Sequence, residues 1–194
     1  MLCCTVRCPG NPLFTVSHAV LHLILDRVES ILRTPMALIL KNPDGTYASK
    51  CALCGETLSH PIFATTQFIT NKSHDFYRFS DAAMHWNCYV RWPDQSRFAS
   101  MYFDVEQARR ELTGDRYWKT LLESTDVFVQ YGFASNEVSL MLRKSGTDIR
   151  VHRSRWQTWV NGSWQGDCRP GLEHNAVSEC ILQLRELQLP ELPA

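Results

Sequence analysis

Two short cysteine and histidine motifs are the residues of this sequence whose types and spacing point to chemistry. Cys51 and Cys54 form a C-x-x-C pair, and His85 and Cys88 form an H-x-x-C pair later in the chain. Three thiolates and one imidazole suit Zn²⁺, which takes sulfur and nitrogen ligands in tetrahedral geometry. Because protein atoms would fill all four positions, the sequence predicts a structural zinc, one per chain, rather than a catalytic one.

The segments around these motifs predict how the four side chains meet. Gly55 follows Cys54 directly, and a glycine there permits the positive φ that turns backbone amides towards the cysteine sulfurs. The stretch 61–69 is β-branched and aromatic, which predicts a strand. His85 and Cys88 are three positions apart, so one helical turn can present both to the same ion. A knuckle, a hairpin and a helix carrying the last two ligands make a treble-clef-like arrangement.

The types, order and spacing of these ligands resemble two known zinc families. One is the first half of a LIM domain, in which further cysteine ligands for a second zinc follow the H-x-x-C pair. Here Cys88 is followed by Tyr-Val-Arg-Trp, so a full LIM domain is excluded. The other is the zinc finger of poly(ADP-ribose) polymerases and one DNA ligase, and the aromatic Trp86 beside the histidine also fits that finger. The resemblance implies a zinc-bound, treble-clef-like fold.

The charge of this segment departs from the second family. Those fingers sense DNA breaks and are rich in Lys and Arg, as contact with phosphate groups requires. In this chain the charged residues between the ligand pairs are Lys72, Arg78, Glu56, Asp75 and Asp81. The resemblance therefore predicts zinc binding and fold rather than DNA-break recognition. The run from Phe79 to Trp86 also resembles uncharacterised bacterial proteins with such a finger, which favours a bacterial origin.

Composition bounds the class of protein and its compartment. A chain of 194 residues is typical of one domain, or of one domain plus a small module. Its 20 basic and 20 acidic residues give a formal net charge of zero, so no overall field points to nucleic acid or to a membrane. No apolar run reaches the roughly 18–20 residues of a membrane helix. Three of the 8 cysteines lie in the two metal-type pairs, and no recognisable secretory signal precedes them, which favours a reducing, cytoplasmic location.

The sequence predicts three regions. Residues 1–35 hold three cysteines, a Pro-Gly-Asn-Pro cluster and one helical stretch. They are either an ordinary N-terminal helix or an upstream extension, poorly ordered or mis-assigned, with translation beginning at Met36. Residues 36–103 are the predicted zinc module, and residues 104–194 are an α+β region packed on it.

The predicted fold class is α+β. After the zinc module we expect two helices, one from Asp104 and one from Asp115 through Leu122, and then a small antiparallel sheet with strands at 126–131, 137–143 and 148–152. The stretch 154–160 fits a short helix or a fourth strand, and we favour the helix. A C-terminal helix at 172–189 has one apolar stripe, formed by Ala176, Val177, Cys180, Ile181, Leu184 and Leu187.

A second candidate site is the basic, tryptophan-flanked stretch 143–159. Its basic residues are Arg143, Lys144, Arg150, His152, Arg153 and Arg155, and the tryptophans in or near it are Trp156, Trp159 and Trp164. Cations interleaved with aromatic rings can bind single-stranded nucleic acid through phosphate contacts and stacking. An acidic partner protein would use the same patch. The alternative is a solvated hairpin whose tryptophans are buried in the core.

Catalytic motifs are sparse in this sequence. Cys168 lies between glycines and would act as a nucleophile if His152 or His174 served as its base, although a lone loop cysteine is usually inert. No phosphate-binding glycine loop and no H-E-x-x-H motif is present. We expect a non-enzymatic, zinc-stabilised interaction protein of accessory or immunity type that binds another protein. The alternative is a nucleic-acid-binding protein that uses residues 143–159.

Overall fold

The computed structural model describes residues 37–113 and 118–191. These residues belong to one compact unit, Pro35–Ala194. The predicted extension at 1–35 and the predicted start at Met36 lie outside the described residues, and the predicted three-region division of the chain stays a prediction. None of the helices in the described ranges is both long enough and apolar enough to cross a bilayer.

The described elements form the mixed α and β structure that the sequence predicts. A two-stranded sheet is followed by a four-stranded antiparallel sheet with the strand order β3-β4-β5-β6. The strands are β1 (Ile62–Ala64), β2 (Ala83–His85), β3 (Trp118–Glu123), β4 (Val127–Gly132), β5 (Glu137–Leu142) and β6 (Thr147–His152). The helices are α1 (Trp86–Val90), α2 (Gln95–Thr113), α3 (Trp156–Thr158), α4 (Trp164–Asp167) and α5 (Leu172–Arg185). Short 3₁₀ turns lie at Tyr77–Phe79 and Arg153–Arg155, and a π turn at Trp159–Ser163 joins α3 to α4.

Residues 118–123 form strand β3, so the helix predicted from Asp115 through Leu122 is wrong in its described part. The pairing of β3 with β4 shifts register between Thr120 and Leu122. A bulge of this kind breaks the alternation of a strand, and here Leu121 and Leu122 both pack against the core. Two adjacent, partly buried leucines after a tryptophan produce a spacing that is also typical of a helix. The other predicted helix is present as α2, which begins at Gln95 and not at 104.

The four-stranded sheet is covered on both faces, because successive side chains of a strand point to opposite sides. On β4, Val129 faces one hydrophobic core and Phe128 faces the other. On β5, Leu140 and Met141 divide in the same way. The first, which we call the C-terminal core, is completed by the helical segment 153–167 and by α5. The second, the aromatic core, joins the sheet to α2 and to the region that carries the predicted zinc ligands.

The C-terminal elements match the sequence prediction closely. Residues 153–163 are helical, and Trp156 and Trp159 stack with ring centroids 5.8 Å apart. The short helix α4 follows the π turn. Helix α5 ends at Arg185, before the predicted end at 189, and most of its predicted apolar stripe is buried in the C-terminal core.

A matched pair of leucines on α5 tests the C-terminal core. Leu184 is 0 % exposed and Leu182 is 70 % exposed. We expect Leu184→Ala to lower the free energy of unfolding by about 2–5 kcal/mol, because it leaves a cavity in a packed core. Leu182→Ala should change it by less than about 0.5 kcal/mol. Urea unfolding followed by tryptophan fluorescence measures both, and equal effects would contradict the placement of α5.

Candidate metal centre

A tight backbone knuckle positions the first two sulfurs. The Gly55 N–H donates to the Cys51 carbonyl at 2.9 Å, and the Cys51 N–H donates to the Glu56 carbonyl at 2.8 Å. Gly55 has φ of 78°, which confirms the conformation predicted for it. In this region of φ a side chain is strained, so glycine is the residue that closes the knuckle without cost.

A strand and a helix position the other two ligands. His85 is the last residue of β2, where it pairs with Ile62 of β1, and Cys88 lies in the short helix α1 that begins at the next residue. The Ala52 N–H donates to the Ala83 carbonyl at 2.9 Å, which ties the knuckle to β2. The two motifs, far apart in sequence, are therefore brought together by backbone hydrogen bonds.

The four donor atoms of Cys51, Cys54, His85 and Cys88 all lie within 4.8 Å of one another. The Nδ1 atom of His85 is 3.4 Å from the Cys54 sulfur and 3.7 Å from the Cys88 sulfur. Tetrahedral zinc, with Zn–S of about 2.3 Å and Zn–N of about 2.0–2.1 Å, would place sulfur and nitrogen about 3.6 Å apart. The cluster can therefore hold a metal ion, and both its donor types and its spacing are consistent with zinc.

A hydrogen bond at Nε2 of His85 orients the ring so that Nδ1 can bind a metal. Its Nε2 atom lies 3.0 Å from the backbone carbonyl of Thr57. A carbonyl can only accept, so Nε2–H is the donor, and in the neutral ring Nδ1 then carries a lone pair. That lone pair lies on the side of the cysteine sulfurs. A hydrogen bond donated by the other ring N–H is the usual way in which proteins orient a metal-binding histidine.

The three thiols differ in their electrostatic surroundings. Burial raises the pKa of Cys51, but N–H groups of Cys54, His85 and Leu53 outweigh it and lower that pKa to about 7. At Cys88, burial and the neighbouring sulfurs of Cys54 and Cys51 raise the pKa to about 11. The Cys51 thiol therefore ionises more readily than an ordinary cysteine, whereas the Cys88 thiol resists the addition of a further negative charge. A cation among the sulfurs would remove that resistance.

Arg169, which is distant in sequence from both motifs, contacts the strand and the helix beside the candidate ligands. The guanidinium of Arg169 lies 4.1 Å from the centre of the Trp86 ring and donates to the Ile62 carbonyl at 2.9 Å. The same guanidinium pairs with Glu173, which is buried. Neither Arg169 nor Glu173 is predicted from the sequence, because nothing local to either residue signals a contact so distant in the chain.

The structure does not assemble the basic stretch 143–159 into a stacking surface. Trp156, Trp159 and Trp164 are 0 %, 1 % and 5 % exposed, so their rings cannot stack on bases. This is the alternative in which the tryptophans are buried in the core. Most of the predicted cations have partners: Arg143 with Asp104 at 2.6 Å, Lys144 with Glu179 at 2.5 Å, Arg150 with Asp148 at 3.2 Å and Arg155 with Asp167 at 2.9 Å. Arg153 donates to the Pro190 carbonyl at 2.6 Å, and His152 bonds to the Ser154 hydroxyl.

Cys168 does not have the surroundings of a nucleophile. Burial, with Glu173 and Asp167 close by, raises the pKa of its thiol to about 12. The thiolate, which is the nucleophilic form, is therefore scarce at neutral pH. Within the described ranges no histidine donates to this sulfur or accepts from it, and His174 packs against Trp164 instead.

Comparison with protein-family models, with curated proteins and with solved structures finds no match to this chain.

Proton release tests the electrostatics of the four-residue cluster. At pH 7, Cys88 is protonated and Cys51 is half protonated, so Zn²⁺ should displace about 1.5 protons from these two thiols alone. Raising the pH from 6 to 8 ionises Cys51 beforehand, so the number released should fall and the apparent affinity should rise. Calorimetric titration in buffers of different ionisation enthalpy counts the protons.

Cys168→Ser serves as the control for that titration, because it removes a thiol outside the cluster and should leave the count unchanged. A proton count that does not fall between pH 6 and pH 8 would contradict the surroundings assigned to Cys51.

Proposed function

We propose that the chain binds one structural Zn²⁺ through Cys51, Cys54, His85 and Cys88 in a treble-clef-like module, and that it is a non-enzymatic interaction protein of accessory type. In this proposal the zinc fixes a surface that another protein binds. The observation that carries the zinc proposal is the orientation of His85, whose Nε2–H is held by Thr57 while Nδ1 lies beside two sulfurs.

The size of the surrounding elements supports a structural role for the metal. Strands β1 and β2 have 3 residues each, and helix α1 has 5 residues. A helix of one or two turns and a short two-stranded ribbon are marginal on their own in water. Metal binding of this type contributes on the order of 10 kcal/mol and is coupled to folding. All four donors come from the protein, which leaves no open position for a substrate.

The surface around the cluster supports a binding role. A depression of about 390 Å³ lies on one side, lined by Leu53, Cys54, Asn87, Cys88, Arg91 and Trp92. A second, of about 240 Å³, is lined by residues that include His60, His85 and Asn87. Asn87 belongs to both. Because metal ligands line both depressions, a bound zinc would set the shape of each.

Zinc content and stability test the structural part of this proposal. Cys54→Ser removes one ligand, so we expect the purified protein to lose its zinc and to unfold at lower denaturant concentration. Cys168→Ser makes the same chemical change outside the cluster and should retain one zinc per chain. A strong chelator should lower the unfolding midpoint of the unmodified chain. Full stability without metal would contradict the structural role.

The interaction surface is tested separately with two asparagines that are both exposed and helical. Asn87→Arg places a long side chain in both depressions. Asn175→Arg makes the same change on α5, outside the depressions. With a partner identified by crosslinking in the native host, we expect Asn87→Arg to weaken binding by about tenfold or more and Asn175→Arg to leave it unchanged.

Salt separates this proposal from the nucleic-acid alternative. A protein interface of this kind should keep most of its affinity as salt rises, whereas binding through several phosphate contacts falls by orders of magnitude. Capture of nucleic acid that dissociates at high salt, with both asparagine variants behaving alike, would overturn the protein-binding proposal.

A further inference from the structure

A cleft of about 400 Å³ opens where the end of β1, helix α2 and strands β5 and β6 meet. Its walls include Thr66, Tyr102, Glu106, Met141, Asp148 and Arg150. Sites for small molecules are typically clefts of roughly 300–1,000 Å³ with apolar walls and a few converging polar groups. None of the four candidate metal ligands lines this cleft, so it can be considered independently of the metal.

Arg150, which lines this cleft, has a guanidinium that is held by a hydrogen bond at one nitrogen and has further N–H groups available. Asp148 accepts from Arg110 at 2.9 Å, from the Nε of Arg150 at 3.2 Å and from the Ser139 hydroxyl. These bonds anchor Arg150 through Nε alone. Among the described residues, its two terminal nitrogens have no protein hydrogen-bond partner. Such a pair of nitrogens presents parallel N–H groups that match the two oxygens of a carboxylate or phosphate.

Helix α2 contributes a buried acceptor to the cleft. The Glu106 carboxylate takes two hydrogen bonds at Oε1, from the Thr66 hydroxyl and from Arg109, both at 2.6 Å. Among the groups that the structure describes, none donates a hydrogen bond to its Oε2 atom. Ile62, which is partly buried, and Ala64, which is exposed, provide apolar surface in the same cleft. The cleft therefore combines an anion-pairing group, an apolar wall and a free acceptor.

We propose that this cleft binds a small organic anion, whose carboxylate or phosphate pairs with the terminal nitrogens of Arg150 and whose apolar body lies along Ile62 and Ala64. The free Glu106 oxygen accepts a hydrogen bond from a hydroxyl or amino group at the far end of the ligand. The chain then has a small-molecule site in addition to the candidate metal centre.

Calorimetric titration of the full, metal-loaded chain tests this with four probes. Phenylacetate and phenyl phosphate supply the two anions on the same ring, 4-hydroxyphenylacetate adds a donor, and benzyl alcohol is the neutral analogue. We expect saturable binding of at least one anion, tighter binding with the added hydroxyl if the carboxylate is preferred, and none of benzyl alcohol. Preference between the first two probes identifies the anion class.

Two arginines provide matched variants. Arg150 and Arg155 are both largely exposed and both paired with one aspartate, but only Arg150 lines the cleft. Arg150→Gln should weaken anion binding by about tenfold or more, since it removes charge-assisted hydrogen bonds. Arg155→Gln should have no effect, and Arg150→Lys should be intermediate because it keeps the charge but not the paired N–H groups.

The variants should remain folded, because an exposed ion pair contributes at most about 1 kcal/mol to stability, and urea unfolding of each variant checks this. The proposal is overturned if no anion binds saturably, if benzyl alcohol binds as tightly as the anions, or if Arg150→Gln binds them as well as the unmodified chain.

Discussion

Mutual repulsion among three closely placed sulfurs is the constraint on which this structure depends. The donor atoms of Cys51, Cys54, His85 and Cys88 share a space 4.8 Å across. Thiolates at such separations repel one another, and the raised pKa of Cys88, near 11, expresses that cost after the cost of burial. A divalent cation converts the repulsion into attraction and makes ionisation of the thiols favourable. Metal binding, proton release and folding of the short elements around the cluster are then parts of one equilibrium.

The packing carries this constraint beyond the cluster. Tyr89, the residue after Cys88, stacks on Phe63 with ring centroids 3.9 Å apart, and its hydroxyl donates to the Ser145 carbonyl in the β5–β6 turn at 2.8 Å. Trp86, the residue after His85, packs under the Arg169 guanidinium. The turn that holds two of the ligands therefore also contacts the four-stranded sheet and the loop before α5. Phe63, Trp86 and Tyr89 all belong to the aromatic core, so a metal bound at the cluster would support contacts in that core.

Local patterns in the sequence predicted the residues of the candidate metal cluster, the positive φ of Gly55 and the strands β4 to β6, because each depends on spacing or conformation within a few residues. Two features depended on tertiary context. The bulge in β3 allows both Leu121 and Leu122 to pack against the core. Two adjacent apolar residues are also typical of a helix, which is why the sequence predicted one there. From sequence alone, the cationic and aromatic residues near Trp156 are compatible with a nucleic-acid-binding surface or with a buried core. Burial of the Trp156 ring, which decides between the two, depends on tertiary packing. The cleft beside Arg150 joins four separate segments, so no local signal could reveal it.

X-ray absorption at the zinc edge of the purified chain measures the central constraint most directly, because it reports the ligand atoms themselves. Three sulfurs at about 2.3 Å and one nitrogen at about 2.0–2.1 Å are the expected shell, without a bound water. Four sulfurs, an oxygen in place of the imidazole, or purified and folded protein that contains no zinc would contradict a centre built from Cys51, Cys54, His85 and Cys88.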